Sequence, residues 1–272
     1  MRGCGLAGLF PVLAHRAHSE GARWTRAIAN SPASQPSINK LALALIVCGF
    51  LTSAHAVEEE RDDKALKEVQ EVVKKVQARY EKTRDLQADF KQSTRIEGFA
   101  TPIASSGRMY IKKPGRLRWD YLDPNVEEIY VNKDEVMMYV PEHQQVLVGK
   151  LTQMAASQAP LQLLQGVAQL EEEFQVEPTP GGKRGAGGVP LVTLLPKQTA
   201  ESEPVRTLDR IVLEVQPKTF FIKTVSIYEI SGNISTFEFA NLKPNQGLKN
   251  DLFQFTVPAG VEVVKAPTLR AP

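Results

Sequence analysis

Gly107-Arg108-Met109-Tyr110-Ile111-Lys112-Lys113-Pro114-Gly115-Arg116-Leu117-Arg118-Trp119-Asp120-Tyr121-Leu122-Asp123-Pro124 describes two strands joined by a basic turn. Met109 and Ile111 alternate with Arg108, Tyr110 and Lys112, and Leu117, Trp119 and Tyr121 alternate with Arg116, Arg118 and Asp120. A period of two puts the apolar set on one face of a hairpin and the charged set on the other. Lys113-Pro114-Gly115 supplies the turn, because Pro fixes φ, Gly accepts positive φ, and the residue before Pro is kept out of the helical region.

Upstream, Leu66, Val69, Val73, Val76 and Tyr80 recur at steps of three and four from Asp62 to about Arg84, which predicts one amphipathic helix packed on a sheet. From Leu86 the period drops to two, with Ala88, Phe90, Gln92, Thr94 and Ile96 on one side. Further strands are expected at 128–132, 135–140, 145–150, 174–177, 189–195, 207–216, 220–230, 235–242 and 252–257. Parallel strands would need helical crossovers, so the sheet is read as mostly antiparallel, curling into a barrel or half-barrel. The fold class is mainly β with α (α+β). Two stretches depart from this texture. Residues 151–166 hold Met154, Leu161, Leu163 and Leu164 around Pro160, which breaks a helix into two short ones. Pro178 to Pro190 is so rich in Gly and Pro that a mobile surface loop that does not pack is expected.

Lys40, the apolar run Leu41 to Leu51 and Ala54-His55-Ala56 have the form of a secretory signal, too short in its apolar core to span a bilayer. Cys48 fails as a lipid-attachment site, since Val47 precedes it where a small residue is needed. The expected organisation is a removed leader, 1–56, and a single domain, 57–272. That domain has no cysteine, 28 basic and 30 acidic residues, so its net charge of −2 offers nothing to nucleic acid. An exported chain without cysteine is held together by burial alone.

The domain keeps one histidine, His143, flanked by Pro141, Glu142 and two glutamines in what reads as a hairpin tip. Hydrolytic and group-transfer chemistry ordinarily needs His, Cys or paired carboxylates beside a nucleophile or metal. Glu171-Glu172-Glu173 lacks the spacing of a calcium loop and reads as a solvated face. No phosphate-binding glycine motif is present. No catalysis, metal or cofactor is expected, and binding is. The apolar side chains Phe90, Leu117, Trp119, Tyr121, Met138, Phe237 and Phe239 suffice either to fill a closed barrel or to line the concave face of an open one.

The run basic-Pro-Gly-x-Leu-Arg-Trp, followed by an aromatic and Asp-Pro, resembles the LolA family of periplasmic outer-membrane lipoprotein carriers. So do Leu161 to Gly166, Leu170 to Phe174, Gly232-Asn233, Phe237-Glu238-Phe239 with Asn241, and Leu252 to Pro258 with Gly260-Val261. The resemblance implies an incomplete β-barrel covered by the N-terminal helix and short lid helices, the lid falling at 151–166. It implies an acyl-binding cavity lined by Phe90, Met109, Leu117, Trp119, Tyr121, Met138, Met154, Leu161, Leu164, Phe237 and Phe239. It also implies a non-enzymatic monomer in the periplasm, with acylated lipoproteins as cargo. An inner-membrane ABC transporter of the LolCDE type would load it, and an outer-membrane receptor of the LolB type would unload it. A carrier or sensor of another amphiphile on the same fold is the alternative. In the family an arginine before the hairpin proline holds the lid closed; Lys113 stands there in this chain, keeping the charge but losing the planar, multi-donor fork.

Overall fold

Strands β1 (Asp85–Arg95), β2 (Ile103–Lys112) and β3 (Arg116–Asp123) form the antiparallel centre of the computed structural model, with Phe90 opposite Gly107 and Met109 opposite Trp119. The structure describes residues 41–150, 164, 170–197 and 207–265, with side chains from Glu60 onward. The sheet lies wholly within the compact unit of residues 52–272.

One helix, α1 (Leu41–Glu81), passes through the expected leader boundary and ends where the apolar spacing ends. On it Val69, Val73, Val76 and Tyr80 are buried as expected, joined by Val72, while Leu66 packs at the margin. No helix of the described residues is long and apolar enough to cross a membrane.

The remaining strands are β4 (Glu127–Asn132), β5 (Glu135–Val140), β6 (Gln145–Lys150), β7 (Phe174–Pro178), β8 (Val192–Pro196), β9 (Leu208–Val215), β10 (Ile222–Glu229), β11 (Ile234–Pro244) and β12 (Glu262–Lys265). All twelve join one curled, unclosed sheet in the order β12-β6-β5-β4-β3-β2-β1-β11-β10-β9-β8-β7. Every pairing is antiparallel except that of β12 with β6. Register shifts at Gln87/Asp89, Ser106/Gly107 and Ile222/Thr224 add local twist, which bends a sheet that would otherwise lie flat. Gly107 marks the tightest bend: a Cβ there would stand 1.9 Å from the Asp120 carbonyl oxygen and 2.7 Å from the Phe90 ring.

Two expectations are corrected, and one strand is added. Residues 252–257 do not form a strand. Asn250–Phe253 makes a 3-10 turn, and the chain then runs extended over the outer face of β3 and β4. There Phe253 is buried, and the Phe255 ring lies 5.1 Å from Tyr130 and 5.3 Å from Tyr139. Strand β12 was not anticipated. Finally, the 178–190 stretch packs. It closes on itself through Gly185 N to Val189 O (2.8 Å), Leu191 N to Lys183 O (3.0 Å) and Thr179 Oγ1 to Leu191 O (3.1 Å). Arg184 ties it to Glu68 on α1, and the Ala186 N–H donates to Glu214 on β9. Its glycines permit this closeness, since a Cβ at Gly185 would meet Glu214 at 2.6 Å.

Candidate functional site

Side chains of alternate residues on β1, β2, β3 and β11 converge beneath α1. Phe90, Met109, Leu117, Trp119, Phe237 and Phe239 are buried in one cluster with Val69, Val72, Val73 and Val76 of the helix; Tyr121 and Met138 pack at its edge. Trp119 is the hub: its ring centroid lies 4.3 Å from Phe90, 5.8 Å from Phe237 and 6.1 Å from Phe239, the last two edge-on. Leu164 is helical and buried in the same cluster. Met154, Leu161 and the rest of the expected lid lie outside the described residues.

At one end the concave face turns polar. Tyr121 Oη donates to Gln92 Oε1 at 2.8 Å, Gln92 Nε2 donates to Thr94 Oγ1 at 3.0 Å, and Thr94 shares a hydrogen with buried Ser235 at 3.1 Å. Burial raises the Tyr121 pKa, and a side-chain hydrogen bond from the Trp119 indole acts in the opposite sense. Trp119 Nε1 is buried, and the group it meets is the Tyr121 hydroxyl. This chain of polar bonds was not foreseen, because side-chain pairing across three strands leaves no mark in a period-two pattern.

Opposite the polar end, the α1 terminus is held by Lys113. Its Nζ donates to the Tyr80 carbonyl oxygen at 2.5 Å, and its N–H donates to the Arg84 carbonyl oxygen at 2.9 Å. A cation at a helix C-terminus meets unpaired carbonyls and the negative end of the dipole. The turn has the conformation its residues demand, with Gly115 at φ 63°.

A cleft of about 1050 Å³ lies between the start of the described side chains of α1 and the edge strand β7. Leu66, Phe174 and Val176 give it an apolar floor continuous with the buried cluster, while Arg61, Asp62, Glu177 and Lys197 stand on its margin. Its size falls just above the ~300–1,000 Å³ usual for small-molecule sites.

On the outer face, charges serve to fasten the C-terminal segment. Lys112 Nζ donates to Leu248 O at 2.5 Å, Arg116 donates to Asn250 Oδ1 at 2.6 Å, and Arg118 bonds both oxygens of Asp120 at 2.8 and 3.0 Å. Asp85 accepts from Gln246 N at 2.6 Å and Gly247 N at 3.0 Å. Burial raises the Asp120 pKa despite its bonds to Arg118. For Arg118 burial opposes the charge and is the largest influence, but the bonds to Asp120 together with the charges of Asp120, Tyr130 and Glu128 outweigh it, and its pKa rises.

Fold and site together define a binding shell: an open β-sheet whose apolar concave face is roofed by a helix and edged by uncharged polar groups. Residues 81–256 match the family described as Outer membrane lipoprotein carrier protein LolA, and the chain belongs to that family. It is similar to an outer-membrane lipoprotein carrier protein of Methylococcus capsulatus, with 30% identity over 82% of this chain and 95% of that one. A protein of the same description from Nitrosospira multiformis is 30% identical over 68% of this chain and 84% of its own length. Among solved structures, a LolA superfamily protein from Nitrosomonas europaea matches 69% of this chain and 97% of that chain, with 12% identity and a TM-score of 0.38.

Proposed function

We propose that residues 57–272, freed of a leader, act in the periplasm as a carrier that shelters the acyl chains of lipoproteins between the inner and outer membranes. The observation that carries this is the concave face. Every described side chain expected in the acyl site belongs to the cluster under α1 or packs against it, and a cleft of about 1050 Å³ opens at its margin. Covering such chains matters energetically, since exposing a ~16-carbon tail costs on the order of 12 kcal/mol. Release requires an adaptable surface, and Met109 and Met138 add flexible, polarizable side chains to the face.

In this reading Phe90, Met109, Leu117, Trp119, Tyr121, Met138, Leu164, Phe237 and Phe239 hold the chains, with Met154 and Leu161 contributed by the lid. Lys113 acts as latch, its bond to Tyr80 linking the hairpin turn to the roofing helix. Loading by an ABC transporter of the LolCDE type and delivery to a receptor of the LolB type complete the route. The test is co-purification of the exported protein with acylated and non-acylated forms of one lipoprotein, alongside depletion in cells. Retention of the acylated form alone, with lipoproteins stranded at the inner membrane on depletion, is expected. Equal recovery of both forms points instead to another amphiphile.

A further inference from the structure

The small net charge of residues 57–272 conceals a sorting of charges by end. At one end of the strands lie the α1 terminus and the β2–β3, β4–β5 and β9–β10 turns. Hydrogen bonds stitch these into one surface: Arg79 Nε donates to Thr219 O at 2.7 Å, the Lys113 N–H to Arg84 O at 2.9 Å, and the Lys133 N–H to Gly115 O at 2.6 Å. Lys75, Arg79, Lys82, Arg84, Lys133 and Lys218 stand exposed on it, and none pairs with a carboxylate among the described residues. Acids at this end are few. Asp85 is buried and taken up by two backbone N–H groups, and Asp134 pairs with Lys150, which leaves Glu81 and Glu135. The opposite end, at the β1–β2, β3–β4 and β10–β11 connections, carries Glu97, Asp123, Glu127 and Glu229 against Arg95.

Whether a chain of negative net charge can approach a negative surface turns on distance. Strand β1 alone runs 11 residues, about 35 Å at ~3.3 Å per residue, whereas charges in water are screened within about 8 Å at physiological salt. The basic end therefore acts by itself, and the acidic end is too remote to oppose it. We infer that the basic end is a landing surface for a bilayer carrying anionic phospholipids. This goes beyond the carrier reading, because it concerns where the protein docks and not what it holds. The cations are spread over separate turns and a helix end, and four of the six are lysines, point charges on flexible stems rather than planar forks aimed at one carboxylate. That distribution suits a diffuse plane of phosphates better than the fixed carboxylates of an acidic protein. Phe220, half-buried with its ring centroid 5.3 Å from Lys75 Nζ, adds an aromatic beside the cations, the pairing found where proteins rest on lipid headgroups.

The test is co-sedimentation of the exported protein with vesicles of phosphatidylcholine and phosphatidylglycerol in equal parts, and with vesicles of phosphatidylcholine alone. Binding to the anionic vesicles only, weakened by added salt, is expected. A cation near such a surface is worth about fivefold in affinity, so Lys82→Gln combined with Lys218→Gln should weaken binding roughly 25-fold. Neither side chain has a bonding partner among the described residues, so the melting temperature should not move. Lys91→Gln combined with Arg95→Gln removes the same charge toward the acidic end and should change binding by less than about twofold. Equal binding to both kinds of vesicle, or equal weakening by the two pairs of substitutions, overturns the inference. Binding to soluble polyglutamate but not to anionic vesicles overturns it too, and assigns the surface to an acidic protein. Each of these results leaves the carrier reading intact, since that reading stands or falls on the acylated cargo.

Discussion

Arg184 grips Glu68 with two hydrogen bonds, Nη1 to Oε1 at 2.8 Å and Nη2 to Oε2 at 2.7 Å, and so clips the loop between β7 and β8 onto the helix that roofs the apolar face. The partners stand 116 positions apart in sequence. Arg184 Nη1 also bonds the Gly188 carbonyl oxygen at 2.7 Å, so one side chain both shapes the loop and anchors it.

Because both partners are exposed, the pair contributes little to global stability but should govern how often the loop lifts. Glu68→Gln removes the ionic grip while keeping the side chain's size. Trypsin cleavage after Lys183 and Arg184 should then accelerate roughly threefold, with the unfolding midpoint almost unchanged. The bond to Arg184 holds the Glu68 carboxyl below its ordinary 4.5. A depressed folded-state pKa means the contribution is present above the unfolded value and is lost as pH falls through the folded one. Acidification below about pH 4.5 should therefore bring the unaltered protein to the cleavage rate of the variant, measured with an acid-tolerant protease. Identical nicking of both proteins at pH 7 would remove the clip from consideration.

Gly107 is predicted to be the least replaceable residue of the curl. An added methyl would meet the Asp120 backbone oxygen at 1.9 Å, and backbone cannot swing aside as a side-chain end can. Gly107→Ala should cost about 3 kcal/mol, at the upper end of overpacking effects, and lower the urea midpoint with little change in slope. Ser106→Ala, one position away on the opposite face, is the control and should change stability by under about 0.5 kcal/mol. A loss below about 1 kcal/mol for Gly107→Ala would show that the bend has slack.

The Asp120 carboxyl tests the outer face. Its folded-state pKa is raised, by burial first, above the ordinary 3.8. The folded protein therefore holds this proton more tightly than the unfolded chain, and stability from this group declines as pH rises through the window just above 3.8. Asp120→Asn abolishes that titration while leaving Glu128 within 3.5 Å of Arg118. Relative to the unaltered protein, the variant should gain stability as pH goes from 4 to 7, followed by urea unfolding at three or four pH values. A relative loss over the same range would mean that pairing with Arg118 outweighs desolvation.

How much of this was legible beforehand depended on where the information sits along the chain. The β2–β3 hairpin could be read because its face alternation and its Pro114-Gly115 turn are both local, and the structure pairs Met109 with Trp119 as that reading requires. The α1 stripe was equally local. Residues 252–257 misled because Leu252-Phe253-Gln254-Phe255 alternates like a strand, whereas the alternation records Phe253 and Phe255 pressing on β3–β5 with no ladder behind them. Strand β12 is four residues long and depends on β6, 117 positions away for the Gln145–Glu262 pair, so nothing near it announced it. For 178–190, composition registered the freedom of the glycines but not the carboxylates of Glu68 and Glu214 that use it. The apolar members of the site were readable as a face, while its polar end arises from contacts among Gln92, Thr94, Tyr121 and Ser235 on separate strands.

Lys113 is the point at which structure and transport meet. Its single ammonium bond to the Tyr80 carbonyl secures the end of α1, and Lys113→Met should lower stability by about 1 kcal/mol through loss of a charged donor at a helix C-terminus. Lys113→Arg has the opposite character. A guanidinium offers several donors in a fixed plane to the same cluster of carbonyls at Tyr80 and Arg84, so the roof should be held more firmly. Tighter closure favours the loaded state, and delivery of a fluorescent lipopeptide from the carrier to outer-membrane vesicles should slow severalfold with little change in folding stability. Unchanged delivery by Lys113→Arg, alongside a destabilised Lys113→Met, would confine Lys113 to a capping role and assign cargo release to another part of the shell.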